Sequence, residues 1–353
     1  MLNFEKTYKS FDEYLKDCAP KFKDYYIKHL KDARVSFEDN KHKDVDKYLY
    51  KLLLDFSQNV GKMHRPLTCL AAFNALNNDV PTEVVLPVAA VIEHFQSAAL
   101  IHDDIADAGE LRRNKPCLYK TEGTGLAINA GDFGLAMVVP SVISELEKQG
   151  VGEAKILAIV NELTKMEYMT IEGQAMDLGW ARDDTFDISI ADYCVMATKK
   201  SAYYSVSIPC VLGAICADAS KDVINALQDF GLNLGLAFQI QDDLLNLIDD
   251  KNANKDFRND ITEGKRTLIV CKAVETSKDK DELIKILKSG TKDKKDLQRA
   301  VDIMQECSAI SFAKDLANNL CIQAKTVLQE ALPSSNWKDI LLDMCNWVVE
   351  RGQ

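Results

Sequence analysis

Apolar residues recur along most of this chain at spacings of three and four, which is the pattern of helices with one buried face. The pattern runs through 82–107, 128–147, 153–178, 190–217 and 222–249, and more weakly through 10–33, 44–57, 67–77, 267–288, 294–308, 310–331 and 336–350. Alternating patterns, which are typical of strands, are nearly absent. We therefore predict an all-α fold in which the helix at 82–107 ends at a glycine cap, Gly109.

Residues that break helices are scarce, and they form no linker. The chain has 8 prolines and 16 glycines in 353 residues, and its turn segments are short. At this length a single hydrophobic core usually stops growing, so length alone does not decide between one domain and two. Because the chain has no repeat and no low-complexity tract, we predict a single all-helical domain over residues 1–353.

Charge and composition exclude several classes of partner. The net charge is −11, which argues against nucleic acid or an anionic membrane surface as the main partner. No apolar run approaches the roughly 18 residues that span a bilayer, and the first residues lack the apolar core of a signal peptide. We therefore expect a cytoplasmic protein without a membrane span.

Cysteine and histidine give no sign of a zinc site or a disulfide framework. The ten cysteines include no CxxC pair, and no histidine stands at metal-ligand spacing from them. All five histidines lie at or before position 102. Chemistry in the second half of the chain must therefore come from carboxylates, amides and lysines.

A cluster of aspartates ends the helix predicted at 82–107. Asp103 and Asp107 are four residues apart and share one face, with Asp104 beside them. Carboxylates at this spacing repel one another unless a cation is bound, and magnesium is usually held by one or two carboxylates together with substrate phosphates. The alternative for this cluster taken alone is a solvated acidic helix end.

A second acidic cluster follows about 140 residues later. Asp242, Asp243 and Asn246 repeat the spacing of the first cluster, and an amide, Gln239, precedes them. The surrounding segment is apolar enough to lie in the core, where unpaired charge is costly. Metal ions between the clusters would compensate this charge, so we predict that the two acidic helices face each other.

Further motifs stand in a fixed order around the two clusters. They are GKMHRP at 61–66, LRRNKP at 111–116, GD at 131–132, GQAMD at 173–177, KSA at 200–202 and DITEGKRT at 260–267. In this order, over roughly residues 55–330, the chain resembles the trans-isoprenyl diphosphate synthases, the polyprenyl synthetase family. The segments KSAYYSVSIP and NDITEGKRTLIV resemble the sequences of the actinobacterial branch in particular, with its short-chain geranylgeranyl and farnesyl diphosphate synthases. The resemblance implies a large helical bundle of the isoprenoid synthase type with a central cavity.

The resemblance also implies a magnesium-dependent prenyltransferase, expected to be a homodimer, that joins isopentenyl diphosphate to an allylic diphosphate. Three magnesium ions are expected with substrate bound, and their direct ligands would be Asp103, Asp107 and Asp242, supported by Asp104 and Asp243. The allylic diphosphate would be held by Arg112, Lys200, Gln239 and Lys255, with Ser201 and Lys265 as further substrate-binding residues. The metal-free isopentenyl diphosphate site would consist of Lys62, Arg65, Gln96 and Arg113.

The resemblance also implies that the helix carrying the first aspartate cluster determines product length. The growing chain would run from Asp103 toward the start of this helix, at about 5.4 Å per turn. Ala98 and Ala99 are small, and Phe95 is the first bulky residue in line with Asp103. We predict geranylgeranyl diphosphate as the product, with farnesyl or longer products open. Plain core packing is the other interpretation of Phe95.

Four residues depart from the pattern of the family. They are Val60, Ser201, Asn246 and Asn254, of which Asn246 replaces the last aspartate of the second motif. Two other functions stay open at this point, a terpene cyclase on the same fold and a non-catalytic partner subunit. A cyclase needs no second diphosphate site, and a partner subunit usually lacks one acidic motif, so the residues present favour the synthase.

Overall fold

The computed structural model of the chain describes residues 6–35, 43–76, 79–248 and 258–350. Most of these residues are helical. The strands among them are two residues long each and form one antiparallel hairpin, β1 (Leu111–Arg112) and β2 (Lys115–Pro116). The prediction of an all-α fold is confirmed.

The helices of the described residues follow the predicted apolar pattern closely. In chain order they are α1 (Phe11–Val35), α2 (Lys43–Val45), α3 (Lys51–Ser57), α4 (His64–Leu76), α5 (Val85–Ala106), α6 (Leu118–Glu122), α7 (Thr124–Ala136), α8 (Val138–Lys148), α9 (Glu153–Arg182), α10 (Ile190–Ala197), α11 (Ile208–Cys216), α12 (Lys221–Ile248), α13 (Asn259–Thr262), α14 (Leu268–Thr276), α15 (Lys280–Ser289), α16 (Lys294–Glu306), α17 (Ala309–Ala331) and α18 (Asn336–Val349). Two π-helices, Asp46–Tyr50 and Thr198–Ser207, and a 3-10 turn, Thr82–Val84, complete them.

Backbone contacts divide the chain into two compact units. The first, unit 1, comprises Met1–Glu167, Ile208–Asn225 and Leu332–Asp343. The second, unit 2, comprises Tyr168–Ser207, Ala226–Ala331 and Met344–Gln353. The single domain over residues 1–353 therefore stays a prediction.

The core of unit 1 is built around α5. This helix packs against α1, α4, α7, α8 and α11, and 15 of its residues are buried. Because its sequence is apolar nearly all round, it is stable only where protein covers every side. Its last turn, which carries the first aspartate cluster, is where polar side chains emerge from this core.

The core of unit 2 includes α14, which contacts α10, α15, α16 and α17. Five of its residues are buried: Leu268, Ile269, Val270, Cys271 and Ala273. The helix begins at a cap in which the Thr267 hydroxyl accepts a hydrogen bond from the amide of Val270 at 3.3 Å. This cap fixes the end of the DITEGKRT segment that precedes the helix.

Several local predictions differ from the structure, among them the helix over 190–217, which contains the π-helix Thr198–Ser207. The segment predicted as one helix at 267–288 is interrupted at Ser277, and the one at 128–147 is interrupted at Met137. The helix over 82–107 does end where expected. However, the left-handed conformation that caps it is taken by Ala108 (φ 50°) and not by Gly109. Gly109 follows, and its amide donates to the Asp104 carbonyl at 2.9 Å. The predicted position of the glycine cap was therefore wrong by one residue.

Two helical segments are long and apolar enough, by length and composition alone, to cross a membrane. They are Thr82–Ala106 and Thr124–Lys148, with 83% and 44% of the relevant residues buried within the protein. The expectation that no apolar run approaches this length was therefore wrong for these two segments. The burial of the first segment is that of a core helix, and the absence of a membrane span stays a prediction.

Candidate active site

The first aspartate cluster of unit 1 is held by an arginine from the β-hairpin. Arg112 donates through Nε to Asp104 Oδ1 at 2.6 Å and also contacts Asp104 through Nη2. The same guanidinium lies 3.4 Å from Asp103 Oδ2. Burial raises the pKa of Asp104, which is only 1% exposed, and the hydrogen bond from Arg112 opposes this rise. Arg112 therefore neutralises the base of the cluster, while the half-buried Asp103 and Asp107 reach its outer edge.

The hairpin sends its two adjacent arginines to different places. Arg112 pairs with Lys115, and the two turn residues between them, Arg113 and Asn114, both have positive φ (52° and 63°). This is a tight primed turn, which asparagine tolerates well and arginine does not. The Arg113 guanidinium bonds to the carbonyl of Asn59 and lies within about 3.2 Å of a Cβ atom built at Gly61. The turn thus separates two cations that are neighbours in sequence.

Arg113 belongs to a second group of charges in unit 1, around a buried carboxylate. Glu93, only 2% exposed, lies on α5, and burial raises its pKa, whereas the charges of Arg65 and Arg113 lower it. Gln96, one turn later on α5, is buried, and its Oε1 has no hydrogen-bond partner among the described residues. Lys62, in the GKMHRP segment that leads into α4, is exposed. In the predicted metal-free site, the positive charges of Arg65 and Arg113 therefore outnumber the negative charge of the one buried acid, Glu93.

The three predicted product-length residues are in different surroundings. Phe95 is buried. Ala98 lies at the crossing of α5 with α7, because a Cβ atom built at Gly134 would stand 2.9 Å from the Ala98 methyl group and 3.4 Å from Leu53. Ala99 is half-buried, on the side of α5 that also carries Asp103. Ala98 is therefore closed off by protein, whereas Ala99 is not fully covered.

The second acidic motif, in unit 2, contains one buried and one half-buried aspartate. Asp243 accepts hydrogen bonds from Tyr193 at 2.7 Å and from the Gln239 amide at 2.8 Å. Burial and the charges of Asp260 and Asp242 raise the pKa of Asp243 well above that of an ordinary aspartate, and these two hydrogen bonds oppose the rise. Asp242, its neighbour, is half-buried.

Asn246 in this motif serves as an anchor for the backbone. Its side-chain oxygen accepts a hydrogen bond from the Asp260 amide at 3.2 Å, and its carbonyl accepts one from the Arg258 amide at 3.1 Å. The asparagine therefore ties α12 to the start of the DITEGKRT segment. Lys255 and Asn254, which belong to the predicted diphosphate site, lie outside the described residues.

Lys200 and Lys265 of unit 2 share one aspartate that the sequence interpretation had left without a role. Asp177 bonds to the Lys200 ammonium and lies 3.9 Å from that of Lys265. Burial acts to raise the pKa of Asp177, but these two ammonium groups hold it below its usual value. Asp177 therefore fixes Lys200, and together with Glu263, which lies 3.5 Å from the Lys265 ammonium, it pairs with Lys265. Ser201 follows Lys200 at a half-buried position.

Lys200 stands in the π-helix Thr198–Ser207, which three glycines contact closely. A Cβ atom built at Gly173 of α9 would lie 2.2 Å from the Lys200 backbone nitrogen. Likewise, Gly231 and Gly235 of α12 lie against Ser207 and Ala202. Real side chains do not approach this closely, so glycine is required at these contacts. The position of Lys200 is thus set by backbone packing as well as by Asp177.

Comparison with known proteins decides the family. The profile of the polyprenyl synthetase family matches residues 46–304, which is more than half of the chain. The chain belongs to the polyprenyl synthetase family. Membership confirms the resemblance found in the sequence and the prediction of a prenyltransferase.

Individual members of the polyprenyl synthetase family are similar to this chain over most of its length. The short chain isoprenyl diphosphate synthase of Methanothermobacter thermautotrophicus is 36% identical over 82% of this chain and 86% of that protein. The geranylgeranyl diphosphate synthase of Saccharolobus solfataricus is 34% identical over 78% and 81%. The crystal structure of the geranylgeranyl pyrophosphate synthetase from Pyrococcus horikoshii is 27% identical, has a TM-score of 0.83 and covers 97% of this chain and 98% of that one. The isoprenoid synthase fold is thereby confirmed, and the resemblance to the actinobacterial branch stays a prediction.

Two residues of this polyprenyl synthetase were missed as functional candidates. Asp177 ends the GQAMD motif, four residues after Gly173, so its spacing was a usable signal. Tyr193 lies 50 residues before its partner Asp243 in a helix without any motif. No pattern in the sequence points to Tyr193.

The residues present fit magnesium as an oxygen-binding cation. Among the described residues no three His, Cys, Asp or Glu side chains come together in a way that would hold a metal ion by themselves. Magnesium does not require such a cage, because it commonly binds one or two carboxylates and completes its shell with water and phosphate oxygens. In the first cluster the donors are carboxylates only, and Asp104 Oδ2 is buried without a hydrogen-bond partner in the described part of the chain. This excess of acceptor oxygens suits a hard divalent cation.

Proposed function

We propose that this prenyltransferase condenses isopentenyl diphosphate with allylic diphosphates, with geranylgeranyl diphosphate as the product. The observation that carries the proposal is the divergence of Arg112 and Arg113 in unit 1. Arg112 bonds to the aspartate cluster, whose carboxylates suit magnesium. Arg113 instead lies with Arg65 near a single carboxylate, that of Glu93. Two different anion sites suit a reaction of two diphosphates, one bound with metal and one without.

The proposed roles of the side chains follow this division. Isopentenyl diphosphate would contact Lys62, Arg65, Gln96 and Arg113. The allylic diphosphate would contact Arg112, Lys200, Ser201, Gln239, Lys255 and Lys265. Glu93, whose charge interacts with those of Arg65 and Arg113, would orient these guanidinium groups rather than touch the substrate.

The proposed reaction begins with loss of diphosphate from the allylic substrate, which leaves an allylic cation. Magnesium, held by Asp103, Asp107 and Asp242, would supply positive charge that stabilises the departing diphosphate. Arg112 and Lys200 add fixed cations, and their partners Asp104 and Asp177 hold them in place before the reaction starts. The π-bond of isopentenyl diphosphate then attacks the allylic cation and forms the new carbon–carbon bond, and the proton lost from the resulting cation goes to the released diphosphate. No histidine base is needed. The count of three magnesium ions stays a prediction.

An activity assay tests this function directly. The purified protein is incubated with magnesium, isopentenyl diphosphate and each of dimethylallyl, geranyl and farnesyl diphosphates, and the dephosphorylated products are sized. Linear prenols, with geranylgeraniol as the main one, are expected. A cyclic hydrocarbon from one prenyl diphosphate would instead support a terpene cyclase, and folded protein without any turnover would support a partner subunit.

Product length is predicted to depend on Ala99 and Phe95. Ala99→Phe should shorten the main product by at least one isoprene unit, because the ring would occupy the incompletely covered side of α5. Phe95→Ala should lengthen it, because the bulky residue in line with Ala99 and Asp103 is removed. Chromatography of the dephosphorylated products measures both effects. Ala98→Ser is the control, since Ala98 is closed off against Gly134; an unchanged product in Phe95→Ala would exclude Phe95 as the floor.

A homodimer is proposed from an exposed apolar stripe along α9. Leu157, Tyr168, Ile171 and Leu178 are 39–60% exposed, and their separations of 11, 3 and 7 residues place them on one side of the helix. Large apolar side chains arranged in this way are typical of protein interfaces. Ile171→Lys should convert the dimer to a monomer in sedimentation. Ile322→Lys, at a comparably exposed position on α17, is the control; a wild-type monomer would refute the proposal.

A further inference from the structure

Tyr193 is a buried tyrosine whose hydroxyl lies at the second acidic motif. It stands on α10, is 1% exposed, and donates to Asp243 Oδ2 at 2.7 Å. The start of α10 is fixed by a capping box in which Ser189 and Asp192 bond to each other's backbone amides. The position of the Tyr193 ring is therefore determined by the helix, and its hydroxyl has a defined acceptor.

Asp243 is used by the protein on both of its oxygens. Oδ2 accepts from Tyr193, and Oδ1 accepts from the Gln239 Nε2 group at 2.8 Å. The residue is only 6% exposed, and each of its two oxygens has a donor within the protein. Asp243 thus connects the side chains of Tyr193 and Gln239.

The bond from Asp243 determines how the Gln239 amide is turned. An amide presents a donating NH₂ group at one end and an accepting oxygen at the other. Because one N–H of Gln239 is bound to Asp243, the NH₂ end is directed toward the acidic motif. No bond from its second N–H is seen to the described residues, so this N–H can donate to a phosphate oxygen. A reversed amide would present its oxygen there and repel an anion. The orientation of Gln239 therefore depends on an Asp243 carboxyl group that is itself held in place.

We propose that Tyr193 is a positioning residue, which acts through Asp243 to fix the Gln239 amide for the allylic diphosphate. This inference rests on the proposed function, because it takes Gln239 as a ligand of that substrate. Tyr193 itself touches no substrate. Its hydroxyl keeps the Asp243 carboxyl group from rotating away from the amide, because a hydrogen bond in a buried site is stronger than one in water.

The test compares two tyrosine-to-phenylalanine variants. Tyr193→Phe removes one hydroxyl and keeps the ring, and it should raise the KM for the allylic diphosphate roughly tenfold while leaving the KM for isopentenyl diphosphate unchanged. Tyr14→Phe is the matched control, because Tyr14 is also fully buried and its hydroxyl donates to the Leu67 carbonyl at 3.0 Å. The control should change neither KM. If both variants only lower the thermal midpoint, Tyr193 is a structural residue and the proposal is wrong.

A second comparison examines the path through Gln239. In a Gln239→Leu background, which removes the amide, Tyr193→Phe should have no further effect on the KM for the allylic diphosphate. An undiminished effect in that background would overturn the proposal, because Tyr193 would then act by another route.

A binding measurement separates this proposal from the proposed function. Calorimetry with inorganic diphosphate and magnesium should show affinity lowered roughly tenfold by Tyr193→Phe and unaltered by Tyr14→Phe. If the wild-type protein binds diphosphate but forms no prenol, the proposed function fails while the positioning role is still decided by these affinities. Equal affinities in wild type and Tyr193→Phe would refute the positioning role, whatever the activity.

Discussion

Gly173→Ala is expected to reduce turnover roughly a hundredfold and to lower the free energy of unfolding by about 3 kcal/mol. The added methyl group would stand 2.2 Å from the Lys200 backbone nitrogen and 2.6 Å from its Cα. Both atoms belong to the backbone, so no side-chain rotation relieves the overlap, and the π-helix must move away from α9. Steady-state kinetics and denaturant unfolding measure the two effects.

The same helix offers a matched control for this substitution. Gly179 also lies in α9, and a Cβ atom built there meets nothing within 4 Å. Gly179→Ala should therefore keep full activity and stabilise the protein by about 1 kcal/mol, since alanine is the better helix former. If Gly173→Ala behaved like Gly179→Ala, the close packing of α9 against Lys200 would not be important for the reaction.

Acid is expected to destabilise the protein through two buried histidines of unit 1. His29 on α1 and His94 on α5 have ring centroids 5.1 Å apart, and their ring nitrogens have no hydrogen-bond partner among the described residues. Burial lowers the pKa of His29 to about 4, although Glu145 and Asp32 oppose this, and burial lowers the pKa of His94 well below its usual value. Both side chains are therefore neutral in the folded protein.

The sign of the effect follows from proton uptake by the unfolded chain. Below pH 6.5 an unfolded histidine takes a proton that the folded His29 does not, so stability falls as the pH falls from about 6.5 to about 4. The loss due to His29 is about 3 kcal/mol at the lower end. Urea unfolding at a series of pH values measures this slope. His29→Leu should flatten it, and a slope equal to that of the wild type would show that other groups cause the acid sensitivity.

The sequence predicted the helices and the acidic motifs because both depend on short-range spacing. Asp103 and Asp107 lie on one helix turn, and the long buried α5 follows directly from its apolar residues. The divergence of Arg112 and Arg113 was implied by the family resemblance but had no physical basis in the sequence, since it depends on positive φ angles at a turn that contains an arginine.

Other features could not be predicted because they arise from contacts between distant segments. The π-helix Thr198–Ser207 lies within a stretch whose apolar spacing reads as one continuous α-helix over 190–217, and small changes in hydrogen-bond register leave that spacing nearly unchanged. The bonds of Asp177 to Lys200 and of Tyr193 to Asp243 span 23 and 50 residues. Asn246 was recognised as a departure from the family, but its bond to the Asp260 amide became evident only in the folded chain.

The turn between β1 and β2 carries a backbone strain that the proposed function would explain. Arg113 holds a left-handed backbone conformation, φ 52°, which costs a residue with a side chain roughly 1 kcal/mol and which glycine adopts freely. A chain selected for stability alone would place glycine at this position. Retaining arginine there keeps a guanidinium bonded to the carbonyl of Asn59 and in charge interaction with Glu93. The strain would therefore be the thermodynamic cost of the proposed second anion site.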